Sequence, residues 1–115
     1  MKAIIKYKKG IKKVKLGNMP IPEPKKGKVR IKIKVAGICG TDLYIYYDDS
    51  YPTNPPVILG HEVSGIIDSL GEGIEDISIG ERVTSETYYY TCGTCCYCRT
   101  GRNNLCNKDY RLEVG

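Results

Sequence analysis

The chain has 115 residues, a length typical of one domain, and its content of 41% apolar and 27% charged residues excludes a disordered tail. No run approaches the roughly 18 apolar residues that a membrane-spanning helix needs, and no apolar signal-peptide core follows Met1. We therefore expect a soluble, cytoplasmic protein with no membrane partner, whose six cysteines serve as metal ligands or reactive thiols rather than as disulfides.

The net charge of +5 is unevenly distributed along the chain. Residues 1–34 contain 13 Lys or Arg and one acid, Glu23, whereas residues 35–115 contain 5 Lys or Arg and 12 acids. Such a basic segment is compatible with a nucleic-acid partner. In residues 29–35, however, basic and β-branched residues alternate strictly, which predicts a strand with one buried and one solvated face. We interpret the lysines as this solvated face and expect no nucleic-acid partner.

The predicted elements are mostly strands. Short stretches rich in Ile, Val and Leu predict strands over residues 2–7, 11–16, 28–36, 57–59, 63–70 and 81–86. A proline-rich connector occupies residues 19–24, and Thr41 or Asp42 is predicted to cap a short helix over residues 42–47. After residue 90 a cysteine-dense loop follows. The pattern favours a mainly β fold, a small antiparallel and partly open barrel with one short helix.

The cysteine-dense loop has the spacing C-x2-C-x2-C-x7-C, which consists of Cys92, Cys95, Cys98 and Cys106. Four thiolates at this spacing fill the tetrahedral shell that Zn²⁺ prefers, and a closed site of this kind has a structural role. Disulfides and an iron–sulfur cluster are the alternatives, and both fit the sequence less well. Cys96 does not fit the even spacing and is predicted to be a spare thiol.

Cys39 and His61, the only histidine, form a second candidate site. Cys39 lies where a predicted strand ends and a helix begins, and a helix N-terminus favours a thiolate. His61 lies between Gly60 and Glu62. One thiolate, one imidazole and a nearby carboxylate suit an open catalytic zinc site, which usually has three protein ligands and a water molecule.

These motifs together resemble a known family. The segment from Gly60 to Gly65, followed by Gly71 and Ile74, resembles the signature of the zinc-containing alcohol dehydrogenases, members of the medium-chain dehydrogenase/reductase superfamily. Residues 37–43 resemble the family's first-ligand segment, and residues 92–106 resemble its structural zinc lobe. The run of residues 39–43, with residues 84–87, is more similar to the sorbitol and threonine dehydrogenase branch.

The resemblance implies a GroES-like catalytic domain over residues 1–115, an N-terminal fragment with a structural zinc lobe at residues 88–110 and no Rossmann domain. It implies Cys39 and His61 as ligands of a catalytic zinc, and Glu62 as a ligand or a nearby carboxylate. Asp42 would orient the His61 ring, and Thr41 would pass on the substrate proton. The family's remaining zinc ligand would lie beyond Gly115.

The implied function is that of a zinc-dependent, NAD(P)-linked dehydrogenase that oxidises a secondary hydroxyl of a small alcohol or polyol by hydride transfer. The fragment would be inactive alone, because NAD(P) binding belongs to the full-length protein, which we expect to be a homo-oligomer. The alternative is a free-standing zinc-binding module that contacts nucleic acid or a protein partner through its basic N-terminal sheet.

Overall fold

The computed structural model describes residues 1–87 and 91–106, and the outer parts of the predicted zinc lobe, residues 88–90 and 107–110, lie outside the described residues. The strands are β1 (Lys2–Lys6), β2 (Val14–Asn18), β3 (Val29–Ala36), β4 (Val57–Ile58), β5 (Val63–Leu70) and β6 (Arg82–Thr84). The helices are α1 (Gly40–Tyr47), α2 (Cys96–Arg99) and a 3-10 turn over Asn103–Leu105. The predicted mainly β fold with one short helix before the cysteine loop is confirmed. Among the described residues, no helix is long and apolar enough to cross a membrane.

The strands form two antiparallel sheets of three strands each. One sheet has the order β2-β1-β4 and the other β3-β5-β6. The first sheet is centred on β1, in which Ile4 pairs with Leu16 of β2 and Ile5 pairs with Ile58 of β4. Neither sheet closes on itself within the described residues, so the partly open architecture expected from the sequence is the one observed.

The limits of β2 and the start of α1 differ from the prediction, and β6 is shorter than the predicted range 81–86. The second strand runs over Val14–Asn18 rather than residues 11–16, because the turn after β1 is longer and places Lys12 at φ 56°. Helix α1 begins at Gly40, and its N-cap is Cys39 rather than Thr41 or Asp42. The Asp42 carboxylate instead lies one turn inside, where it accepts a hydrogen bond from the N-cap backbone.

The predicted burial of one face of β3 was wrong. Ile33 and Val35 are 46% and 65% exposed. The pairing of β3 with β5 also shifts register between these two residues, which interrupts the strict alternation of inward and outward side chains. Its lysines, Lys32 and Lys34, are exposed as expected.

Buried apolar side chains come from β1, α1 and β4, and Ile67 of β5 is buried in the second sheet. Ile5, Ile45 and Val57 are each less than 8% exposed, and they come from β1, α1 and β4 in turn. Burying one such side chain contributes roughly 1.5–3 kcal/mol. Because α1 follows Cys39 and β4 precedes His61, this core fixes the chain segments that carry both residues of the second candidate site.

A glycine is required where β5 packs against β3. A Cβ atom at Gly65 would lie 2.4 Å from the Lys32 carbonyl oxygen and 2.8 Å from Ile31 Cγ2. We predict that Gly65→Ala lowers the free energy of unfolding by about 1–3 kcal/mol, the usual cost of overpacking. At Gly40 a Cβ would meet no atom within 4 Å, so Gly40→Ala should leave stability unchanged or raise it by up to about 1 kcal/mol. Urea unfolding of both variants checks this, and equal midpoints would contradict it.

Candidate metal centres

The first half of the open candidate site is built by the start of helix α1. Cys39 is the N-cap residue, in an extended conformation at φ −80° and ψ 159°. Its backbone N–H donates to Asp42 Oδ2 at 2.9 Å, and the Asp42 N–H donates to the Cys39 carbonyl at 3.0 Å. These reciprocal bonds satisfy polar groups that a helix start otherwise leaves unpaired. They also fix the position of Cys39 and Asp42 relative to each other.

The second half is built by the short connection between β4 and β5. The Leu59 N–H continues the pairing of β4 by donating to the Ile4 carbonyl at 2.9 Å. Gly60 then takes φ 103°, a conformation that favours glycine. His61 and Glu62 follow in the connection to β5, and the Gly37 N–H donates to the Glu62 carbonyl at 2.8 Å.

The two halves bring Cys39, His61 and Glu62 together. Their ligand atoms, one sulfur, one imidazole nitrogen and one carboxylate oxygen, all lie within 4.8 Å of one another. They face an open cleft of about 860 Å³ that Thr41 and Asp42 also line. A thiolate, an imidazole and a carboxylate facing solvent-accessible space form a donor set that suits zinc with a remaining open position.

Two further observations fit a metal at this position. A Cβ at Gly37 would lie 2.7 Å from Glu62 Oε2, so the absent side chain leaves the room that this carboxylate occupies. Asp42 Oδ1 is buried without a hydrogen-bond partner and lies 3.9 Å from His61 Nδ1. That separation is too long for a hydrogen bond. If His61 Nε2 held a metal, however, the Asp42 carboxylate would lie beside the remaining ring nitrogen, Nδ1, as a hydrogen-bond acceptor.

Thr41, the predicted proton carrier, also lies in this site. Its hydroxyl oxygen is 3.8 Å from the Cys39 sulfur, and both residues line the cleft. All five residues predicted for the open site are therefore neighbours in the structure. The sequence analysis did not predict the role of Gly37, whose lack of a side chain makes room for Glu62. A glycine two residues before the candidate ligand Cys39 could have indicated a close approach of another group.

The four predicted cysteines of the second site also converge. The sulfur of Cys98 is 3.9 Å from that of Cys92 and 3.5 Å from that of Cys95, and Cys95 is 4.0 Å from Cys106. A tetrahedral zinc with bonds of about 2.3 Å needs sulfurs about 3.8 Å apart. The observed separations match that value, so the cluster fits one zinc ion with four thiolate ligands and no open position.

Hydrogen bonds and burial inside the lobe shift the pKa values of Cys92 and Cys98 in opposite directions. The hydroxyl and backbone N–H of Thr94, with the Cys95 N–H, lower the pKa of Cys92 to about 5. Burial, followed by the neighbouring Cys95 thiol, raises the pKa of Cys98 to about 12. The donors therefore favour the thiolate form of Cys92, and burial favours the protonated thiol of Cys98. Metal binding must then release protons, which makes the metal affinity of the lobe depend on pH.

The spare thiol is also where the sequence predicted it. Cys96 is exposed, and it begins the short helix α2, whose N-cap is Cys95. It does not belong to the group of four sulfurs that lie within 4.8 Å of one another. All six cysteines are free thiols in the structure.

Comparison with known proteins connects these two centres to a family. Residues 25–115 match the alcohol dehydrogenase GroES-like domain. The chain is 47% identical to a sorbitol dehydrogenase from Halalkalibacterium halodurans over 93% of its length and 31% of that protein's. It is 42% identical to an L-threonine 3-dehydrogenase from Bacillus subtilis, over 99% of its length and 33% of that protein's.

The chain belongs to the alcohol dehydrogenase GroES-like domain family. A cobalt- and zinc-bound thermostable alcohol dehydrogenase from Pyrobaculum aerophilum has the same fold, with a TM-score of 0.85 and 27% identity over 100% of this chain and 36% of that one. The predicted GroES-like fold and the resemblance to the sorbitol and threonine dehydrogenase branch are confirmed. The chain spans about a third of the length of the curated relatives it matches.

The ligand set of the lobe can be tested by single substitutions. We predict that the isolated chain holds about one tightly bound zinc in the lobe, that Cys106→Ser loses it, and that Cys96→Ser retains it. The reason is that Cys106 is buried with its sulfur among the other three, whereas Cys96 is exposed outside the cluster. Zinc content after dialysis, measured by atomic emission, checks this. Loss of zinc from Cys96→Ser with retention in Cys106→Ser would reverse the assignment.

Proposed function

We propose that this chain forms the N-terminal part of the catalytic domain of a zinc-dependent, NAD(P)-linked alcohol or polyol dehydrogenase. The observation that carries the proposal is the convergence of Cys39, His61 and Glu62 at an open cleft. The four-cysteine lobe, over residues 88–110, is assigned a structural role because its donor set is closed. The Rossmann domain is assigned to another part of the protein, since residues 1–115 contain no G-x-G-x-x-G motif.

In the proposed reaction a secondary alcohol loses a hydride from its carbinol carbon and a proton from its hydroxyl. Cys39 and His61 would hold the zinc ion, which would supply a Lewis acid that lowers the pKa of the substrate hydroxyl, and NAD(P) would supply the hydride acceptor. Thr41 is assigned to receive the hydroxyl proton and pass it to solvent. Asp42 is assigned to hold the His61 ring, and Glu62 to bind the metal or to adjust the charge beside it.

The small residue next to Cys39 is compatible with a secondary alcohol as the substrate. Gly40 adds no side-chain bulk beside this ligand, and a Cβ there would meet no atom within 4 Å. A carbinol carbon with two carbon substituents needs such room. The similarity to sorbitol and threonine dehydrogenases supports a polyol first and L-threonine second, both of which carry a secondary hydroxyl.

The chain alone is proposed to be inactive, because the nicotinamide cofactor has no phosphate-binding βα turn in residues 1–115. Free thiols at all six cysteines support a reducing compartment, the cytoplasm. The alternative of a nucleic-acid-binding module has less support, because Lys6 is buried and the exposed lysines are spread over β1, β2, β3 and the intervening loops.

The assignment of Thr41 has a direct test in the complete enzyme. We predict that Thr41→Val lowers kcat about 100-fold, the lower range for loss of a proton-transfer group, while the zinc content stays unchanged. Thr41→Ser, which restores a hydroxyl, should recover most of the rate. Steady-state kinetics with metal analysis checks this. Full activity in Thr41→Val would remove Thr41 from the proton path.

Substrate preference tests the proposed branch. We predict that the complete enzyme has a higher kcat/KM for sorbitol, 2,3-butanediol or L-threonine than for ethanol, because its relatives include sorbitol and L-threonine dehydrogenases and Gly40 adds no bulk beside Cys39. The comparison uses initial rates of nicotinamide reduction at subsaturating substrate. A tenfold preference for ethanol, about 1.4 kcal/mol of transition-state discrimination, would contradict the assignment.

A further inference from the structure

The side chain of Lys6 is completely buried at 0% exposure. Its ammonium group donates to the carbonyl of Gly10 at 3.0 Å and to that of Ile45 at 3.1 Å, and it forms an ion pair with Asp49. The Asp49 carboxylate also accepts a hydrogen bond of 2.6 Å from the Gly10 N–H. A buried ammonium is costly unless all its protons are used, and here its three donors match three acceptors. The group joins β1, the following turn and the segment after α1.

These bonds cap the C-terminal end of helix α1. The last four carbonyls of a helix have no partner within the helix. In α1 the Tyr44 carbonyl accepts from the N–H groups of Asp48 and Asp49, that of Ile45 accepts from Lys6, and that of Tyr46 accepts from the Lys12 N–H. The last turn of α1 contains no basic residue of its own. The positive charge that favours a helix C-terminus is therefore supplied from β1.

Strand β1 is also attached to the segment that carries His61. Lys6 pairs with Val57 and Ile5 pairs with Ile58 of β4, and the Leu59 N–H donates to Ile4. Two residues later the chain reaches His61. The backbone of β1 thus holds the His61 side of the open site, while the Lys6 side chain on the same strand holds the helix that begins beside Cys39.

We propose that Lys6 is a positioning residue that fixes the separation of Cys39 and His61 by holding helix α1 against strand β1. The inference rests on the proposed function only in taking these two residues as metal ligands. We call the Lys6 ammonium group, with its partners Gly10, Ile45 and Asp49, the clasp. Asp49 belongs to it because its carboxylate pairs with Lys6 and accepts a hydrogen bond from the Gly10 N–H. Without the clasp α1 keeps its apolar anchor Ile45, but its rotation and shift along β1 are less restrained.

The test measures metal binding at the open site with the closed site as an internal control. The chain is used in the Cys96→Ser form, with zinc in the four-cysteine lobe, and is titrated with Co²⁺. Cobalt bound to a thiolate gives a charge-transfer absorption band. The part of this band that is lost in the Cys39→Ser variant measures cobalt at the open site. We expect Lys6→Met to weaken this cobalt affinity at least tenfold without changing the zinc content of the lobe.

Lys26→Met is the matched control. Lys26 forms an ion pair with Glu72 in which both side chains are more than 70% exposed, so its substitution should leave the cobalt affinity unchanged. Asp49→Asn serves as the second variant, because it removes the charge partner but retains an oxygen for the Gly10 N–H. We expect it to weaken cobalt binding in the same direction but less.

Hydrogen exchange gives a readout that needs no metal in the open site. In Lys6→Met the amides of Asp48 and Asp49 should exchange at least tenfold faster, while the amides of β3 and β5 keep their protection. Equal loss of protection everywhere would contradict the proposal, because it would give Lys6 a general role in stability. Failure of both Lys6→Met and Asp49→Asn to fold would contradict it for the same reason.

The two proposals fail in different ways. If the parent chain shows no cobalt absorption that depends on Cys39, the proposed open metal site is wrong. The inference about Lys6 is then also wrong as a statement about metal ligands, whatever the exchange data show about the clasp. If the parent binds cobalt and Lys6→Met binds it equally well, the metal site stands and Lys6 has no positioning role.

Discussion

The buried ammonium of Lys6 is the constraint on which the arrangement of the first sheet and helix α1 depends. It lies where β1, the turn after it and the end of α1 meet, and it satisfies carbonyls that would otherwise be buried without donors. Few aliphatic side chains are fully buried around it, so apolar packing alone specifies this junction weakly. Directional bonds to a charge restrict geometry more than nonpolar contacts do, because each bond has a narrow range of distance and angle.

This constraint explains how residues 22 positions apart in the sequence reach one site. Cys39 begins a helix whose far end is held by β1, and His61 follows a strand that pairs with β1. A single short strand is therefore the common reference for both. The Glu62 carboxylate is placed separately, by the hydrogen bond of its backbone to Gly37 and by the absence of a side chain there.

The two candidate centres differ in what organises them. The four-cysteine lobe consists of short helical turns. Among its described residues, Cys106 is the one apolar residue that is buried, so the lobe has little apolar core. In the proposed assignment its order would come from the metal, since structural zinc contributes on the order of 10 kcal/mol or more. In the open site the fold comes first, because hydrogen bonds and strand pairing position its ligands before any ion binds. A preorganised and incompletely filled donor set is what a catalytic ion requires.

Much of this could be predicted from residue types and spacing. The even steps from Cys92 to Cys98 identified three of the lobe's sulfurs and excluded Cys96, because two-residue gaps turn side chains to the same side. The segments around Cys39 and His61 were identified by resemblance to a family. The role of Lys6 could not be predicted, because nothing local distinguishes it from the other lysines of the basic segment. Its burial arises from contacts with Ile45 and Asp49, about forty residues away. The exposure of Val35 was missed for a similar reason, since strand alternation does not show whether anything packs over a face.

The chain is proposed to carry two separate metal sites, one closed and one open. The most direct measurement is a crystal structure of the zinc-saturated chain with anomalous data collected on both sides of the zinc absorption edge. We expect one peak bonded to the sulfurs of Cys92, Cys95, Cys98 and Cys106, and a second, weaker peak bonded to Cys39 and His61. A single peak in the lobe at saturating zinc, or a second peak on Cys96 with Cys39 and His61 both unbound, would contradict it.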